Sequence, residues 1–167
     1  MSFVGEIKIP QYLLDSASLL PLLDWLLDTV ITLYLVTEHV NDFFLLHGIS
    51  STWSVIQILI NAFPQERTKT LEILRIHLGI LIATYICQEA PKIDENTLME
   101  HTDELEEVSW LQIKSNLLDE LPKESDDHVY KLVQICYETA RKFDHKSRME
   151  MVYKKAAITV MSQPFKF

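Results

Sequence analysis

Apolar residues recur along this chain at helical spacing, and prolines and capping residues punctuate the runs. After Pro21, Leu22, Leu23, Leu26, Leu27, Val30, Ile31, Leu33 and Tyr34 give a broad apolar surface, too wide for a helix that faces solvent. Asn41 or Asp42 can cap a second helix that passes through His47 and Trp53 to about Ala62. Pro64, at a first turn, starts a third, with Leu71, Leu74, His77, Leu78, Leu81, Ile82, Tyr85 and Ile86 as its apolar positions. Pro91 and residues 92–96 form the first linker. Asp103 and Glu106 have capping-box spacing ahead of Val108, Trp110, Leu111 and Ile113, and Pro122 ends that helix. Ser125 is the expected cap of a helix running through His128 to Phe143, and a last helix spans about Ser147 to Met161. No segment alternates as a strand would, and no repeat recurs. The pattern predicts an all-α fold, a compact bundle of about six to seven helices, with residues 1–167 as a single domain.

Composition narrows the function classes. With 167 residues, 48% of them apolar, and only three glycines and six prolines, the chain can bury a real core. A formal charge of −9 argues against a nucleic-acid partner, because phosphate contacts need clustered Lys and Arg. Cys87 and Cys136 both fall in apolar helical patterns and read as buried thiols, which suits a reducing, cytoplasmic location. Residues 1–10 lack a basic start followed by an apolar run, so no secretory signal is expected. Residues 43–65 carry no charge, yet His47, Ser50, Ser51, Ser54, Gln57 and Asn61 are spread through them. Such groups are costly in lipid, so no membrane span is expected.

Two histidines stand in otherwise apolar surroundings. On a helical wheel His47 shares a face with Phe43, Ser50, Ser54 and Ile58, flanked by Ser51 and Gln57, and Gly48 beside it permits close approach. His128 and Lys131, three apart, share a face near a helix start, where the helix dipole favours a neutral imidazole able to bind metal. Asp126 or Asp127 could orient that ring, although acids at a helix start are also ordinary capping chemistry. A lysine at the margin of an apolar face ordinarily reaches to solvent.

Residues Asp42-Phe-Phe-Leu-Leu-His47-Gly-Ile-Ser-Ser51, the run Ala83-Thr-Tyr-Ile86, Asp126-Asp-His128-Val-Tyr-Lys131-Leu-Val and the closing Tyr153-Lys-Lys155-Ala-Ala157 together resemble the questin oxidase-like oxygenases. The resemblance covers roughly residues 28–163 and looks like the C-terminal half of a longer family member. It implies oxidative ring opening of aromatic polyketides such as anthraquinones. It also implies a non-haem iron held by histidines and a carboxylated lysine. Carried over by position, His47 and His128 become candidate iron ligands and Lys131 the candidate catalytic and metal-binding lysine, with Lys155 in reserve. Phe44, Trp53 and Tyr85 are candidate aromatic walls. No Gly-x-Gly-x-x-Gly follows a strand and no Cys-x-x-Cys-His is present, but an oxygenase can use NADPH without such a motif.

Family members are longer and carry further histidines upstream, whereas His39 is the only histidine here before His47. The chain is therefore expected to be a segment of a longer protein, to pair with a second chain or form a homo-oligomer that covers an apolar face, or to be a shortened relative that has lost catalysis. The alternative is a non-catalytic helical interaction domain with both histidines hydrogen-bonded in its core. His77 is expected as a satisfied core residue, and His101 and His145 have no partner pattern.

Overall fold

A computed structural model describes residues 11–16, 18–38, 41–63, 66–94, 96–99, 102–119, 126–142, 147–162 and 165. Regular structure among them is helical: α1 Gln11–Asp15, α2 Leu20–Val36, α3 Phe43–Ala62, α4 Arg67–Cys87, α5 Asn96–Met99, α6 Thr102–Leu105, α7 Trp110–Asp119, α8 Asp127–Ala140 and α9 Arg148–Ser162. The expected all-α bundle is observed, and six of these helices are longer than two turns.

The most apolar segments lie at the centre. Helix α2 buries Leu22, Leu23, Leu26, Leu27, Val30, Ile31 and Tyr34, as its wide apolar surface requires. Helix α9 buries Val152, Tyr153, Ala156, Ala157 and Val160, where small alanines let α8 approach closely. Helices α3 and α8 pack on this pair and on each other, α7 and α6 lie against α9, and α4 packs on α3.

The corner between α2 and α3 fixes where His47 stands. Asn41 takes a left-handed conformation, φ 59°, which asparagine tolerates, and its side chain accepts the Tyr34 hydroxyl at 2.5 Å. Asp42 then caps α3, its Oδ1 accepting from Phe44 N at 2.8 Å and Leu45 N at 2.9 Å. Helix α4 runs back antiparallel to α3: Gly48 faces Leu81, and Thr52 bonds His77.

Four expectations change. Helix α7 starts at Trp110 because Ser109 and Gln112 form the capping box: Ser109 N and Oγ donate to Gln112 Oε1, and Gln112 N donates back to Ser109 Oγ. The Asp103 and Glu106 stretch instead holds the separate turn α6. Helix α8 is capped by Asp126 in place of Ser125, because the Asp126 carboxylate accepts from His128 N. It ends at Ala140, short of Phe143. Cys136 is buried as expected, but Cys87 is exposed on the outer side of α4. His39, His101, His145, Pro64, Pro122, Ser125 and Phe143 lie outside the described residues.

By length and composition α3 and α4 are each apolar enough to cross a membrane. They differ in their surroundings, since α3 is packed between α2, α8 and α4, whereas α4 buries only Thr70, Leu74 and His77.

Candidate functional site

The first residues of α3 and α8 meet, and this brings His47 and His128 together with ring centroids 4.6 Å apart. Phe43 wedges beside both rings, 4.4 Å from His47 and 5.1 Å from His128, in edge-on contacts that hold the imidazoles in place. Phe165 packs on Phe43 at 5.4 Å.

Both rings have their Nδ1 engaged. His47 Nδ1 lies 2.8 Å from the Phe43 carbonyl, which can only accept, so this nitrogen carries the proton. His128 Nδ1 lies 2.5 Å from Asp126 Oδ1 and donates to it, with Asp127 Oδ1 at 3.4 Å. Among the described residues no protein group bonds either Nε2. Both rings are thus held through Nδ1, and Nε2 is the remaining nitrogen of each. The Asp126 carboxyl is held below the usual carboxylate range, first by the His128 backbone N–H and then by the ring.

The histidines open into a cleft of about 650 Å³ lined by α3, α4 and α8. Its apolar wall is Phe44, Ile80 and Leu81; Ser50, Ser51, Ser54 and Thr84 supply hydroxyls. These hydroxyls donate to carbonyls of their own helices, so their oxygens are left as acceptors toward the cleft. Beneath it, Thr52 donates to the Gly48 carbonyl at 2.7 Å. Its oxygen therefore accepts from His77 Nε2 at 2.9 Å, and His77 is the satisfied core residue expected. Burial lowers the His77 pKa.

Lys131 lines the same cleft on α8, half exposed, with its Nζ 2.5 Å from Asp127 Oδ2. Asp126, Asp127 and His128 bring ligand-capable atoms within 4.8 Å of one another at the rim. Lys155 does not line the cleft: its ammonium bonds the Thr97 carbonyl of α5. Trp53 packs against the core and Tyr85 donates to the Pro91 carbonyl at 2.6 Å, so of the three expected aromatic walls only Phe44 lines the cleft.

Sequence reasoning passed over Lys154, which is fully buried and paired with Glu150 Oε1 at 3.2 Å. It also passed over Tyr153, whose hydroxyl meets Asp28 Oδ1 at 2.5 Å. Neither lies in the cleft.

A family model described as questin oxidase-like matches residues 12–136, a segment that contains His47, His128 and Lys131 and ends within α8. No curated protein and no solved structure gives a match. The match spans most of the chain and includes every residue of the cleft, so the chain belongs to the questin oxidase-like family.

Proposed function

We propose that this chain is an oxygenase that acts on aromatic polyketides, with the cleft between α3, α4 and α8 as its substrate site. The observation that carries the reading is the pairing of His47 and His128, whose ring centroids lie 4.6 Å apart and whose rings are both fixed through Nδ1, with Nε2 unbonded among the described residues.

This donor set fits iron: imidazole suits a ferrous ion, and a ring oriented by a carboxylate or carbonyl is the usual support for a ligating histidine. His47 and His128 would hold the metal through Nε2. When bound, iron supplies the activation of dioxygen that ring opening needs. Lys131 serves in one of two forms. As the ammonium paired with Asp127 it attracts a phenolate; carboxylated, it would give an anionic oxygen ligand, which first requires release from Asp127 because only an uncharged amine reacts.

The remaining residues position the substrate. Phe44, Ile80 and Leu81 provide the apolar surface for a fused aromatic ring, and Ser50, Ser51 and Ser54 accept hydrogen bonds from phenolic hydroxyls. A cleft of this size lies within the usual range for small-molecule sites. Electrons beyond those of the substrate would come from NADPH or another diffusible donor, for which no residue is assigned.

The test is dioxygen uptake by the iron-loaded chain with hydroxylated anthraquinones, followed by mass spectrometry for incorporated ¹⁸O. Substrate-dependent uptake with a labelled, ring-opened product supports the reading. Iron loading without uptake on any aromatic substrate favours the non-catalytic interaction domain.

A further inference from the structure

The cleft has two ends, and the register of α3 against α4 fixes what stands at each. Gly48 faces Leu81 and Thr52 bonds His77, so four residues forward along α3 are four residues back along α4. Thr84 is therefore level with the start of α3, where Phe44 and His47 stand, and Ile80 and Leu81 are level with Gly48 and the residue after it. The α4 wall of the cleft stops there. On α3 the lining continues through Ser50 and Ser51 to Ser54, which stands alone at the far end among the described lining residues.

Ser54 follows His47 by seven residues, two turns along and only about 20° round the helix. Both side chains thus face the same way, about 10.5 Å apart along the axis. Between them Gly48, Ser50 and Ser51 are small, and the two serine hydroxyls turn back onto the carbonyls of His47 and Gly48. The floor is a flat strip with a pair of imidazoles at one end. At the other, Ser54 Oγ donates to the Ser50 carbonyl at 2.9 Å, so its oxygen can accept a bond from a ligand but has no proton left to give.

We infer that Ser54 is a specificity-determining residue: it reads the substrate ring farthest from the histidines and selects a hydroxyl there over a methoxy group. The inference rests on the reading of the cleft as a site for hydroxylated aromatic polyketides. Three linearly fused rings laid along α3, with one edge at His47 and His128, carry a substituent on the far ring to the level of Ser54. Two fused rings stop short of it. A phenolic hydroxyl in that place donates to Ser54 Oγ, whereas an ether oxygen meets another acceptor and gains no bond. The ring at the histidines is then the one that reacts, and the far ring is held.

Binding of two ligands to the full chain, kept anaerobic at a pH below the ionisation of their phenols, tests this. One is an anthraquinone with a hydroxyl on each outer ring, at opposite ends of the long axis; the other is its monomethyl ether. Quenching of tryptophan fluorescence reports both. The chain should bind the diol about threefold to tenfold more tightly than the ether, the worth of one neutral hydrogen bond. Ser54→Ala, a change at an exposed helical position, should bring the two affinities together. A two-ring diol should bind the parent and Ser54→Ala alike. Equal affinities in the parent overturn the inference, as does a preference for the diol that survives Ser54→Ala. If neither ligand binds, the inference falls together with the substrate assignment on which it rests. Dioxygen plays no part in this measurement, so a chain that reads the far hydroxyl but consumes no oxygen upholds the inference and loses only the oxygenase reading.

Discussion

A single oxygen of Asp126 ties His128 twice: Oδ1 accepts the backbone N–H of His128 at 3.0 Å and its ring Nδ1 at 2.5 Å. The cap that starts α8 is thus also the group that orients the imidazole toward His47. Asp126→Asn keeps a capping oxygen but lacks the charge, and Asp126→Ala loses both. The expected stability loss is small for Asn and about 1 kcal/mol for Ala. Metal affinity should fall by about 10–100-fold in both, the usual cost of removing an orienting partner. Calorimetric metal titration beside urea unfolding separates the two effects. Equal affinity in all three proteins would show that the carboxylate acts only as a cap.

Gly48 sets the distance between α3 and α4. A methyl at this position would meet Leu81 Cδ2 at 3.2 Å, the mobile end of a side chain. Gly48→Ala should therefore be close to neutral, the crowding offset by up to about 1 kcal/mol of helix propensity. Gly48→Leu should cost about 1–3 kcal/mol and push Leu81 across the cleft. Thermal unfolding and binding of an aromatic probe check both, and a tolerant Gly48→Leu would mean that α4 moves freely away from α3.

Much of the fold is legible in the chain because local chemistry decides it. Pro21, Asp42 and the apolar faces of α2 and α3 place their helices directly. Where two local signals compete, spacing is not enough: Asp103 and Glu106 match the capping-box pattern as well as Ser109 and Gln112 do, and only the packing of Ile113 and Leu117 selects the second. Cys87 was misplaced for a related reason, since apolar periodicity on α4 cannot say which of two apolar sides finds a partner within the chain. His47 and His128 are each visible as unusual residues, but their meeting depends on how α3 and α8 pack across 80 intervening positions. Lys154 was invisible because a lysine four residues after a glutamate is ordinarily a surface pair.

That buried pair makes its own prediction. Lys154 is fully enclosed, with Glu150 at 3.2 Å and the Leu105 carbonyl of α6 at 3.4 Å. Lys154→Met alone takes this cation from a buried carboxylate and should cost up to about 3–5 kcal/mol, whereas adding Glu150→Leu should recover most of that loss. Denaturant unfolding of the two variants reads the difference. If the double variant is no better than the single one, the pair has a role beyond mutual neutralisation.

Acid should loosen the α3–α4 contact through His77. Burial lowers its folded pKa below the ordinary 6.5, so the neutral ring is favoured in the folded chain. This contribution is complete above the unfolded pKa and is lost as pH falls through the lowered folded value. His77→Gln keeps a donor for Thr52 but does not titrate. Between about pH 7.5 and about pH 5 the parent should lose more stability than His77→Gln, as measured by urea midpoints. Parallel losses would place the acid sensitivity elsewhere.

The central claim is that His47 and His128 form one metal site. It is tested most directly by iron bound per chain after anaerobic loading of the parent, His47→Ala and His128→Ala, with folding verified by circular dichroism. The account predicts stoichiometric iron in the parent and its loss in both variants. Iron retained by either variant, or absent from the folded parent, would contradict it.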